Sequence, residues 1–197
     1  EGAFLDIKSK ETPEGRNEIN MALGQVRLDE ISKGFSAYLP DISGMLNADV
    51  QYMPSDSSYT MTAGFNIDSL HYEGGRVGDL LFSAVYLPLA EDEHQVDMHL
   101  FHDAQEILTS SVYYQSGEEE NIDGTLTVSS LPLSMLNPFI PDGMAHLKGN
   151  LQGDLALSGT TALSGIQGFF RMDSADLFLV PANTTIKFEP KNIEIHD

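Results

Sequence analysis

The chain has 197 residues, a formal net charge of −20, an apolar share of 41% and no cysteine. This composition suits a folded chain rather than a disordered one. It excludes disulfide frameworks, thiolate metal centres and cysteine nucleophiles, and it disfavours nucleic acid and anionic membrane surfaces, which need a cationic patch.

No apolar run approaches the ~20 residues that cross a bilayer as a helix. No secretory leader is visible; the chain opens on Glu1 and closes within the alternating run Ile193-Glu194-Ile195. We expect a piece of a longer protein, with any anchor or export signal outside it.

In chain order, Ala3 to Ser9 reads as a strand with Leu5 and Ile7 on one face, and Lys10 to Glu18 as a loop with Pro13 and Gly15. Ile19, Met21 and Leu23 alternate into Val26 and Leu28, the period-2 signature of a half-buried strand. Asp29 is then expected to cap a short helix whose stripe is Ile31, Phe35 and Leu39, closed by Pro40-Asp41. Leu46, Ala48, Val50 and Tyr52 alternate next, and Pro54 to Ser58 is a turn. Tyr59 to Ile67 is a clean strand, with a short one expected at Leu70 and Tyr72 before the turn Glu73-Gly74-Gly75-Arg76.

Leu80, Phe82, Ala84 and Tyr86 share one parity, and Leu81, Val85 and Leu87 the other, so this strand is expected to be covered on both faces. Pro88 should end it, and Ala90 to His94 reads as an acidic loop. Strands follow at Val96 to Leu100 and Ile107 to Gln115, then an acidic turn at Gly117 to Asn121. Leu126 and Val128 form the next strand. Ser129 or Ser130 is expected to cap a second short helix with Pro132 at its start and the stripe Leu131, Met135, Phe139. Pro141-Asp142-Gly143 is turn chemistry. Leu147, Gly149, Leu151, Gly153, Leu155 and Leu157 then mark a long strand with one apolar face. Four more strands are expected at Ile166 to Met172, Ala175 to Val180, Thr184 to Phe188 and Ile193 to His196, with a turn at Asp173-Ser174.

The strand–helix–turn–strand order thus occurs twice, at 26–52 and at 124–159, and reads as an internal repeat. We divide the chain into a first β unit at 1–123 and a second at 124–197, compatible with one continuous sheet. The alternation gives every strand one apolar face. By itself it leaves open whether that face is a closed core or an open groove.

Residue patterns for chemistry are sparse. His99 and His102 are three apart on a strand and so face opposite ways, which disfavours a shared metal with His94. Glu118-Glu119-Glu120 with Asp123 lacks the ligand order of a calcium loop and reads as a solvated turn. There is no Gly-x-Ser-x-Gly elbow and no phosphate-binding glycine loop. We expect a protein that is not an enzyme, with no metal and no cofactor.

The string Leu131-Pro132-Leu133-Ser134-Met135-Leu136-Asn137-Pro138-Phe139-Ile140-Pro141-Asp142-Gly143, running on through Lys148-Gly149-Asn150-Leu151-Gln152-Gly153-Asp154-Leu155 to Gly159, resembles the C-terminal domain of TamB-type translocation and assembly module proteins in the AsmA-like group. So do Ile166 to Arg171, Asp176 to Pro181 and Asn192 to Asp197; the good match covers Gly124 to Asp197. The resemblance implies a mostly β fold: an extended, curved antiparallel sheet of about a dozen strands with two short helices, folded lengthwise into a half-pipe or β-taco. It implies a periplasmic segment of an inner-membrane-anchored envelope protein. Such a protein passes phospholipid between the inner and outer membranes, takes part in outer-membrane protein assembly, and has an Omp85-family barrel as partner of the full-length chain. The family's final outer-membrane-docking segment has no counterpart here.

On that expectation the apolar face contacts phospholipid acyl chains through Met61, Phe65, Ile67, Phe82, Val96, Met98, Leu100, Leu147, Leu151, Leu155, Leu157, Phe170, Leu177, Leu179, Ile186, Phe188, Ile193 and Ile195. Gly149 and Gly153 are expected to lower the side-chain wall and let the sheet curl. Raw sheet edges would favour an edge-mediated dimer of the fragment. The competing reading is a closed β-domain that binds a protein or glycan on its surface through Tyr52, Tyr59, Tyr72, Tyr86, Tyr113 and Tyr114.

Overall fold

The structure, a computed structural model, describes residues 2–35, 38–90, 92–117, 120–160, 162 and 164–196. Glu118 and Glu119 of the acidic turn lie outside the described residues. The strands are β1 (Phe4–Glu11), β2 (Asn17–Arg27), β3 (Ile42–Pro54), β4 (Tyr59–Tyr72), β5 (Gly75–Ala90), β6 (Glu93–His102), β7 (Gln105–Gln115), β8 (Asn121–Pro132), β9 (Ala145–Gly159), β10 (Ser164–Leu179), β11 (Thr184–Lys187) and β12 (Asn192–Ile195). Helix α1 (Leu28–Gly34) follows β2, and a 3₁₀-helix (Leu133–Phe139) follows β8.

All twelve strands belong to one antiparallel sheet in the sequential order β1 to β11, with β12 sharing the outer edge of β10. Short connections explain this order, because each strand pairs with the one before it at minimal loop-closure cost. The sheet does not close: no pairing joins β1 to β11 or β12 among the described residues. The sheet is therefore open and not a closed barrel. The accessible surface, 12413 Å², exceeds the roughly 9,200 Å² of a compact chain of this mass, as an open sheet must.

Several expected boundaries shift, for physical reasons. β5 runs through Pro88, which pairs with His94, because the β4 ladder has already ended at Met61–Tyr86. The missing proline N–H falls where no partner waits. The turn expected at Asp173-Ser174 is a bulge inside one long strand, β10. Leu70 and Tyr72 likewise belong to β4, beyond bulges after Ile67. Leu81 is 47% exposed, so β5 is not covered on both faces.

All but one of the register shifts lie toward the end of the sheet that carries both helices. A bulge adds an unpaired residue and bends its strand. Here the extra N–H groups are satisfied by the neighbouring strand: Gln25 N–H donates to Asn47 Oδ1 at 2.9 Å, and Ser69 N–H to Asp79 Oδ1 at 2.7 Å. Gln25, Ser69 and Ser174 adopt positive φ. Gly149, at φ +96, makes room for the last of these; a Cβ there would lie 2.5 Å from Ser174 O and Ala175 Cα. Gly149 thus accommodates a bulge rather than lowering a wall.

The helices also depart from expectation. Asp29 does not cap α1; it lies in the first turn, bonded to Lys33 and Arg27, and the position before the helix is Arg27. The helix stops at Gly34, so Phe35 and Leu39 leave the stripe; Ile31, Phe35 and Leu39 are all exposed. Ser32 is buried instead and accepts the Ile42 N–H. In the second cassette β8 continues through Ser129 and Ser130 to Pro132, with no side-chain cap. Pro138 inside the helix removes an α-type donor, and the tighter 3₁₀ winding turns Leu133 inward rather than Met135.

The 3₁₀-helix spans from β9 to the β4–β5 hairpin. Phe139 packs on Tyr72 with ring centroids 4.6 Å apart. Asn137 clamps the start of β9 twice, donating Nδ2–H to Leu147 O at 3.0 Å and accepting the Leu147 N–H at 2.7 Å. Asn137→Ala removes both bonds at a part-buried site. It is expected to cost about 1–3 kcal/mol and to speed amide exchange at Leu147 selectively, read by hydrogen exchange.

Candidate functional site: the one-sided apolar face

The register assembles the face row by row. One row runs from β2 to β12: Leu23, Ala48, Phe65, Phe82, Leu100, Leu108, Val128, Gly153, Phe170 and Ile193. The next runs through Val50, Ala63, Ala84, Met98, Ser110, Leu126, Leu155, Gly168 and Ile195, and a third through Tyr52, Met61, Tyr86, Val96, Val112, Gly124 and Leu157. Ile67 continues the face toward the helices beside Leu46 and Leu80. Leu151 sits between Leu131 and Met172, Leu147 pairs with Leu177 and Leu177 with Ile186, and Leu179 lies one position on. Every proposed groove residue except Phe188 therefore falls in these rows. Phe188 lies just past β11, its N–H donating to Ala175 O.

None of these eighteen side chains is fully buried. Met61, Ile186, Phe188 and Ile193 are exposed and the rest are half-buried. The fully buried apolar residues among those described are others: Val77, Ile107, Val128, Leu133 and Ala175. Most belong to the helix-bearing end. There His102 Nε2 meets Val77 O at 2.8 Å, and Asp103 holds Arg76 through both carboxylate oxygens. Those bonds to Arg76, with the Asp79 N–H, keep the Asp103 carboxyl below its ordinary range. Gly153 is roofed by Phe170, whose Cδ1 would lie 2.6 Å from a Cβ there, so this glycine seats a ring on the face.

The opposite face is mostly polar. Thr62, Val85, Asp97, Ser111, Thr125, Ala156 and Gln167 form one row, and Ser83, His99, Thr109, Thr127, Asp154 and Phe169 another, with Leu81 and Phe101 paired beyond them. Ser111 Oγ–H donates to Asp97 Oδ1 at 2.6 Å, and Gln95 also donates to that carboxylate; both hold its pKa down. His99 Nδ1 meets Glu106 Oε1 at 2.7 Å on this polar face. His99 and His102 thus face apart, and each already has a protein partner.

At the end away from the helices the register does something the sequence hid. Tyr52, Tyr59, Tyr86, His94 and Tyr114 come from five successive strands and stand on the apolar face. Consecutive ring centroids are 5.2, 5.1, 5.8 and 6.0 Å apart. Tyr86 Oη lies 2.8 Å from His94 Nδ1. Desolvation raises the Tyr86 phenol above its ordinary value, and the Tyr59 hydroxyl adds to the effect. Tyr72 and Tyr113 do not join: Tyr72 packs on Phe139, and Tyr113 stands on the polar face. The clue available in sequence was parity, read outward from each hairpin turn.

No family model, curated protein or solved structure matches this chain.

Proposed function

We propose that this chain is a trough for acyl chains: a non-enzymatic segment of a TamB- or AsmA-like envelope protein that conducts phospholipid through the periplasm. The observation that carries the reading is the apolar face itself, continuous across the sheet, with Val128 and Gly153 the only buried members of its three rows among the described residues. Each methylene withdrawn from water onto such a face contributes roughly 0.8 kcal/mol without directional anchoring, which suits a cargo that must slide. Directional bonds are concentrated on the opposite face. Assembly of outer-membrane proteins, and an Omp85-family partner of a longer chain, belong to the same proposal and rest on the sequence resemblance.

The test is native mass spectrometry with lipid extraction on protein purified from bacterial cells without detergent. The expected result is co-purified phospholipid, displaced stoichiometrically by an environment-sensitive apolar dye. Protein that is lipid-free and leaves the dye dark would exclude an acyl trough.

A further inference from the structure

The apolar face is not uniform along its length. Its middle rows present apolar side chains and the Ser110 hydroxyl, whereas the five rings at the helix-free end present four phenols and an imidazole. The rings lie against their neighbours, the Tyr52–Tyr59 pair tilted and the other three pairs stacked, and they carry their polar groups at the edges, where Tyr86 Oη and His94 Nδ1 already meet. An aromatic ring with a polar edge suits the boundary between an apolar body and water. Resting on the acyl-trough reading, we infer that this row is the head-group station of the trough, holding a zwitterionic phospholipid head while one acyl tail lies toward the helices.

Length and charge both select this occupant. From Tyr86 to Leu80 along β5 is six residues, about 20 Å at ~3.4 Å each. One acyl layer of a bilayer is about 15 Å deep, half of a ~30 Å core, so a tail fits between the ring row and the helix-bearing end. An anionic head is disfavoured by the net charge of −20. It is disfavoured locally too, because Asp92 lies in the β5–β6 turn two residues before His94. Arg16, at the β1–β2 turn, is already paired with Asp56. A head carrying an ammonium beside its phosphate meets the Asp92 carboxylate at the turn and phenol donors beneath.

Paramagnetic lyso-phosphatidylcholine probes, nitroxide-labelled either near the head or at the tail end, test the assignment by NMR on the intact chain. The head-side label is expected to broaden the ring signals of Tyr59, Tyr86 and Tyr114. The tail-end label should broaden the methyls of Ile67 and Leu80. The reverse pattern overturns the orientation while leaving the trough intact; no broadening by either probe defeats the trough reading itself. The double variant Tyr59→Phe, Tyr86→Phe keeps both rings and loses two hydroxyls. Its affinity for the unlabelled lipid should fall about tenfold, with an unchanged amide spectrum away from the row. Unchanged affinity overturns the head-group role. Ring shifts on adding a maltooligosaccharide, with none from the lipid, would assign the row to a glycan instead.

Discussion

Met98→Asp is expected to strip the protein of bound lipid and leave it folded. Met98 stands in mid-face between Ala84 and Ser110 on the flanking strands, so truncating it removes little packing and a carboxylate there stays hydrated while the face is empty. The cost to stability should be around 1 kcal/mol. Once an acyl chain covers the position, the carboxylate must lose its water without gaining a partner, at about 3 kcal/mol or more, a loss of roughly a hundredfold or more in affinity. Lipid extraction and urea denaturation on the same preparation separate the two effects. A variant that unfolds would show that this face is a core; one that keeps its lipid would show that lipid binds elsewhere.

Gly168→Val is expected to have the opposite signature, a large loss of stability with no specific effect on lipid chemistry. Gly168 has φ +149, and a Cβ there would stand 2.0 Å from Asp154 O and 2.8 Å from Leu155 Cα. Both obstacles are backbone of the paired strand β9, so no rotamer change relieves them. Gly168 also pairs with Ile195 on its other side, which fixes β10 between two neighbours. Strained backbone plus a clash of this kind should cost about 3 kcal/mol or more, read as a lowered urea midpoint. A midpoint unchanged from the parent would mean that the β9–β10 register can slip.

The contrast between the two positions shows what alternation does and does not encode. Met98 is legible as a face residue because β6 has no bulge between Glu93 and Leu100, and parity carries along it unbroken. Leu177 is legible only if the break at Asp173-Ser174 is placed, since the bulge there reverses parity. Reading that break as a turn split one strand into two and still put Leu177 and Leu179 on the correct face. The helices were legible as interruptions and not in detail. Asp29 and the serines are good cap residues, but Arg27 already ion-pairs with Asp29 and Glu30, and β8 keeps pairing with β9 as far as Pro132. Ladder hydrogen bonds won over local capping preference.

The sequence by itself determined the strand content, the sequential antiparallel order and the one-sided apolar face, because these depend on period-2 patterning and short turns between neighbours. The tertiary structure decided that the sheet stays open, where its bulges fall, and which distant side chains share a row. Closure depends on whether the first and last strands meet, and no residue pattern within either strand records that. The row Tyr52, Tyr59, Tyr86, His94 and Tyr114 depends on the register of four separate strand pairs. A one-residue slip at any of them would turn part of it to the other face, so only the assembled sheet reveals it.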